Sequence, residues 1–98
     1  MSRLSAARLS YLRNKIPIAD VIQHRLGLST HYRSQLLRFS CPLCRGFDTA
    51  TNPATNLARC FRCQKNFNPI DMVMIVANCS FLDAVKFLEK PVLPDQRI

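Results

Sequence analysis

The apolar positions along this chain change their period twice. Ile18, Val21, Ile22 and Leu26 recur at i, i+3, i+4 and i+8, the spacing of one buried helix face. Pro17 suits the first helical position, where its missing N–H costs nothing, and Gly27 suits the residue just past the end. A looser set, Leu4, Leu9 and Leu12, makes residues 2–14 a further helix candidate. The period then drops to two. Residues 35–40 predict a strand with Leu37 and Phe39 on one face and Leu36 and Arg38 on the other. Residues 49–51 and 55–59 flank Asn52-Pro53-Ala54, a turn signal, so they predict a hairpin with Leu57, Arg59 and Phe61 on one face.

After residue 67 the helical period returns. Asn68 is a good N-cap and Pro69 a good first residue, and Asp71 sits where the helix dipole favours negative charge. Residues 70–77 are apolar almost all round, the mark of a helix covered on several sides. Asn78 breaks the run. Ser80 caps a final helix, with Asp83 three residues on as in a capping box. Phe81, Ala84, Val85 and Leu88 form its apolar face and Pro91 ends it. The expected organisation is one domain over residues 1–90 and a short tail over 91–98.

The strand ends carry the chemistry. Cys41-Pro42-Leu43-Cys44 is followed, after fifteen residues, by Cys60-Phe61-Arg62-Cys63. Each pair wraps a tight turn that presents two sulfurs, and two such turns close a tetrahedral shell around one structural Zn²⁺. The closed shell leaves no position for water or substrate, so this metal holds a fold and the chain is expected not to be an enzyme. Disulfides in a secreted domain are the competing use. Residues 1–15 hold interspersed charges and no apolar run, so no secretory signal is expected. A reducing, cytoplasmic setting is the expectation instead. No segment approaches the ~20 apolar residues of a membrane span. Cys79, the fifth cysteine, has no partner at this spacing and reads as a free buried thiol. His24 and His31 read as surface or loop residues because four cysteines already fill the shell.

Ninety-eight residues bury only a modest core, which makes a metal staple useful. The formal net charge is +8, and four thiolates with one divalent cation bring it to about +6. The charge is uneven: residues 1–65 hold eleven Lys and Arg against two acids. Cations gathered around a metal module favour a polyanionic partner. Arg38, Arg59, Arg62 and Lys65 are the phosphate candidates, with Arg33 and Arg45 as second choices. Phe61, between two ligands, is open to base stacking or to core packing. Phe39 and Phe67 read as core residues. Met72, Met74 and Ile75 read as core or as a docking face for another protein.

The order of parts resembles the N-terminal zinc-binding domain of bacterial and phage DNA primases. The resemblance runs from Leu12 to Leu88. It rests on the helix around Ile18-Ala19-Asp20-Val21-Ile22, the strand into Cys41-Pro42-Leu43-Cys44, and Cys60-Phe61-Arg62-Cys63. Asn68-Pro69-Ile70-Asp71 and Ser80-Phe81-Leu82-Asp83 complete it. It implies a small α+β zinc ribbon, a short antiparallel sheet flanked by N-terminal and C-terminal helices. It also implies a module that binds single-stranded DNA on a basic, aromatic-bearing sheet face. The partners it implies are a separate primase catalytic domain, a helicase or another replication protein, or the replication protein of a mobile element.

Three departures from the family pattern carry expectations. Cys44 stands where the replicative family has histidine, as in phage relatives. Gln64-Lys65-Asn66-Phe67 replaces the family's glycines, so Asn66 or another residue must supply the left-handed turn. In Arg45-Gly46-Phe47-Asp48 only Gly46 looks suited to a metal turn. The alternative function is a protein adaptor in which the ribbon is scaffold and the 70–77 helix docks a partner.

Overall fold

Side-chain caps fix where three of the helices begin. The computed structural model describes residues 5–90. Its element order is α1 (Ala6–Asn14), α2 (Ile18–Asp20), a π-helical turn (Val21–Arg25), β1 (Thr30–Arg33), β2 (Leu36–Phe39), β3 (Thr49–Asn52), β4 (Leu57–Cys60), β5 (Lys65–Phe67), α3 (Pro69–Ala77) and α4 (Phe81–Glu89). The expected helix residues 2–4, the Pro91 stop and the tail lie outside the described residues. Ser5 accepts the Arg8 N–H at the start of α1. Asn68 and Asp71 each accept the other's backbone N–H, a full capping box at the start of α3. Ser80 accepts the Asp83 N–H at the start of α4. Asn78 closes α3 in the left-handed conformation, φ 53°, with its N–H on the Met74 carbonyl.

The helix predicted from Ile18 is present but changes winding. Pro17 sits one residue outside it, and from Val21 onward the chain forms a π turn, with the Leu26 N–H on the Val21 carbonyl at 2.8 Å. Gly27 follows in the left-handed region at φ 65°, as expected. Ile18, Val21 and Ile22 are buried as their spacing predicts.

Two antiparallel sheets make the β layer. β1 pairs with β2, and β3, β4 and β5 form the second sheet in that order. The hairpin β3–β4 was expected. β1 was not: its side chains are nearly all exposed, so it has no inward apolar alternation to read. Its turn uses Ser34 and Gln35, both at positive φ (52° and 66°), without the Asn-Gly signal of a tight hairpin. β5 was also not expected, since it is three residues long and buries only Phe67. The two sheets are joined at β2 and β3 by side chains. The Phe39 N–H donates to Thr49 Oγ1 at 2.9 Å, that hydroxyl donates to the Phe39 carbonyl at 2.7 Å, and Thr51 Oγ1 donates to the Leu37 carbonyl at 3.3 Å.

Two apolar clusters share α3 as their common wall. Ile18, Ile22, Phe39, Phe67 and Met72 pack beneath the sheets together with Cys41 and Cys60. Leu12, Val21, Ile70, Val73, Val85 and Leu88 pack among the helices. Met74 and Ile75 are half-buried against one cluster and the other. The apolar surface of α3, weighed above as a docking face, is therefore covered in part by the chain itself: Met72 is buried, while Met74 and Ile75 are half-buried. Phe81 departs from its expected place in the core and is 39% exposed, because it lies in the first turn of α4. Phe87 is half-buried beneath the Arg25 guanidinium, 5.8 Å from Cζ to ring centroid, and Arg25 also donates to the Phe87 and Lys90 carbonyls that end α4.

Candidate metal centre and sheet face

The four cysteines of the two CxxC pairs converge as the spacing requires. Their Sγ atoms all lie within 4.8 Å of one another, with Cys41 to Cys63 at 3.8 Å and Cys44 to Cys60 at 3.7 Å. A tetrahedron of ~2.3 Å Zn–S bonds has edges of about 3.8 Å, whereas a disulfide needs ~2.05 Å. The set therefore fits one structural Zn²⁺, and all the cysteines are free thiols. Cys79 stands apart, half-buried against the helical cluster with Sγ near the Val73 carbonyl.

Both metal turns have the same backbone construction. The residue after the second cysteine of each pair is left-handed: Arg45 at φ 65° and Gln64 at φ 58°. Gly46 does not adopt it, and of the two options left open for the second turn, Asn66 or another residue, it is Gln64 that does. The Leu43 N–H points at Cys41 Sγ and the Cys63 N–H at Cys60 Sγ, each at 3.4 Å. These donors stabilise thiolate charge. The Gly46 N–H does the same for Cys44 and is the main reason its thiol is lowered to about 7. Burial pushes Cys60 up, and pushes Cys63 up to about 12. In the metal-free fold those two sulfurs hold protons that a metal must displace.

Gly46 serves a close approach instead. A Cβ there would lie 3.2 Å from Arg62 Nη1 and 3.6 Å from Cys44 Sγ. Arg62, on the second metal turn, thus lays its guanidinium over the first. It stands beside a cluster whose zinc-loaded charge is about −2.

The remaining predicted contact residues fall on different surfaces. Direct cross-strand partners point to the same side of a sheet. Arg59 opposes Asn66 and Ala50, while Cys60 opposes Lys65. Arg59 therefore faces outward, and Lys65 leaves from the metal side. On the first sheet His31 opposes Arg38, and Arg33 opposes Leu36. The threonine junction continues the register, giving an outward line His31, Arg38, Ala50, Arg59, Asn66. Arg38 is half-buried there, and its Nε has no hydrogen-bond partner among the described residues. Phe61 settles on this outer side too. It is 48% exposed, and its ring lies 5.5 Å from Arg59 Cζ. Arg59 also donates to Asn66 Oδ1 at 3.2 Å. Leu36, Ala50, Asn52, Leu57, Arg59, Phe61 and Asn66 line a surface concavity of about 390 Å³ together with Thr51 and Thr55.

Sequence reasoning put Leu36 on the Arg38 face and His31 on the surface, but gave neither a functional role, and it did not place Ala50 or Asn66 on this face. Pairing register puts His31, Ala50 and Asn66 there, and β1 and β5 left no period to read. Arg33 is exposed near the hairpin turn and Arg45 is exposed at the first metal turn. Among the described residues no helix is long and apolar enough to cross a membrane.

The model of one protein family, the CHC2 zinc finger, a zinc ribbon of DnaG type, matches residues 4–94 of the chain. A search of curated proteins finds no match.

Proposed function

We propose that this chain, which belongs to the CHC2 zinc-finger family, is a non-catalytic module that binds single-stranded DNA across the outer face of its sheets. One observation carries the reading. Arg38 and Arg59 flank the small side chain of Ala50, with the exposed Phe61 ring under Arg59 and an open concavity beside it. Single-strand binding needs this combination of cations for phosphates and flat side chains for bases. The four-thiolate shell gives the zinc a structural role, so chemistry belongs to a partner: a primase catalytic domain, a helicase or another replication protein, including that of a mobile element. Within this reading Arg62 serves the metal cluster more than the strand.

Fluorescence anisotropy with short labelled oligonucleotides at several salt concentrations tests the proposal. The logarithm of affinity should fall with the logarithm of salt, with a slope of about −0.7 per phosphate engaged. Absence of low-salt binding, or binding unchanged in the Arg38→Ala, Arg59→Ala double variant, would overturn it.

The adaptor reading keeps one supporting observation. Phe81 and Leu82 are 39% and 55% exposed on the first turn of α4. A protein contact by this module would use that turn or the half-buried Met74, Ile75 and Val76 of α3, and would show little dependence on salt.

A further inference from the structure

The outer face has a second aromatic station, which the single-strand reading does not use. His31 on β1 and Phe47 in the loop after the first metal turn bring their ring centroids within 5.1 Å at an interplanar angle of 42°. Phe47 remains 42% exposed and His31 is exposed as well. Neither belongs to an apolar cluster, so packing does not account for the pair.

Its position ties it to the cations. His31 opposes Arg38 in the β1–β2 register, which places it at one end of the outward line that continues through Ala50 to Arg59. Phe61 sits at the other side, just past the end of β4. β1 and β4 belong to different sheets, with β2, the threonine junction and β3 between them. The two aromatic stations thus border the same row of guanidiniums from opposite sides. Asp48, the neighbour of Phe47 in sequence, accepts the Phe61 N–H on its backbone carbonyl at 2.8 Å and so ties the loop of one station to the strand end of the other.

Resting on the reading proposed above, we infer that the His31–Phe47 pair is a second base platform, and that a bound single strand crosses the β-strands from Phe61 to this pair. The face fits a polyanion better than an apolar peptide, because the line between the two stations carries Arg38 and Arg59. Aromatic faces stack on any base, so the track is tolerant of sequence and sensitive to length.

The test uses the zinc-loaded full chain and fluorescein-labelled oligothymidylates of about three to about twelve nucleotides. The parent should bind more tightly once a strand is long enough to reach both stations. Phe47→Ala should weaken the long oligomers roughly tenfold, leave the shortest unchanged and keep the salt slope. Phe47→Tyr should restore long-strand binding, and zinc content and melting temperature of both variants should match the parent. Phe61→Ala should weaken every length. If Phe47→Ala and His31→Ala bind all lengths like the parent while Phe61→Ala still weakens them, this inference fails and the single-strand reading stands. Equal weakening at every length by Phe47→Ala also overturns it. A parent that binds no oligomer at low salt removes the single-strand reading itself.

Discussion

Asn56 and Ile18 lie thirty-eight positions apart and are joined by a 2.8 Å hydrogen bond from the Ile18 N–H to Asn56 Oδ1. The amide nitrogen of Asn56 donates to the Arg13 and Ile16 carbonyls, each at 2.7 Å. One buried side chain thus ties the β3–β4 loop to the link between α1 and α2. It does so from the left-handed region, φ 56°, which asparagine tolerates better than most residues.

Replacing Asn56 should therefore be costly. Asn56→Ala leaves a buried N–H without its partner, for a loss of about 3 kcal/mol. In a domain of this size that lowers the melting temperature by more than ~10 °C. Asn56→Gly accepts the backbone angle but not the hydrogen bonds, and should remain well below the parent. Melting curves of the zinc-loaded variants decide this, and an unchanged midpoint for Asn56→Ala would refute the assignment.

The metal centre predicts a simple contrast between cysteines. Elemental analysis should find one zinc per chain, retained in Cys79→Ser and lost or severely weakened in Cys44→Ser. Loss of zinc from Cys79→Ser together with its retention in Cys44→Ser would mean that the ligand set is wrong.

Zinc uptake should release protons. Burial holds Cys60 and Cys63 above their ordinary value, the latter at about 12, so both are protonated at neutral pH in the metal-free fold. A raised thiol favours that fold below its unfolded value near 9 and withdraws the support as pH rises toward 12. Cys44, lowered to about 7, has the opposite sign: its contribution is present above about 9 and is lost as pH falls through 7. Zinc affinity should accordingly fall as pH is lowered, since protons compete for the sulfurs. Calorimetric titrations in buffers of different ionisation enthalpy should register the protons of Cys60 and Cys63 at least. A binding enthalpy independent of buffer would contradict this.

Chelation should act unequally on the two clusters. Cys41 and Cys60 are members of the cluster beneath the sheets, while the helical cluster contains none of the four ligands. Removing zinc should therefore melt the β layer and leave helical signal from α3 and α4 in circular dichroism. A spectrum identical before and after complete removal would be inconsistent with that partition.

Register also makes a prediction about charge. Lys65 leaves from the Cys60 side and Arg59 from the outer side. In the salt titrations Arg59→Ala should reduce the slope by about one contact and Lys65→Ala should leave it nearly unchanged. Equal effects would place the strand on both sides of the sheet and refute the outer-face assignment.

Much of this was legible in the residues. Cys41, Cys44, Cys60 and Cys63 announced their site by spacing. Asn68 with Asp71, Ser80 and Gly27 announced helix ends by chemistry. What stayed hidden depended on long-range pairing or strained backbone. β1 has little inward face, β5 is too short for a period, and Ser34, Gln35, Arg45 and Gln64 take left-handed angles without the residue types that advertise them. The same limit explains Lys65: proximity to a ligand in sequence says nothing about which side of the sheet a side chain leaves from.

The hydroxyls of Thr49 and Thr51 stand where a backbone ladder would join β2 to β3. Arg38 and Arg59 therefore belong to separately hydrogen-bonded plates, stitched along one seam. The distance between the two guanidiniums is a property of that stitching, not of strand pairing. A Thr49→Val exchange, nearly silent in volume, would alter the gauge of the surface without touching either arginine.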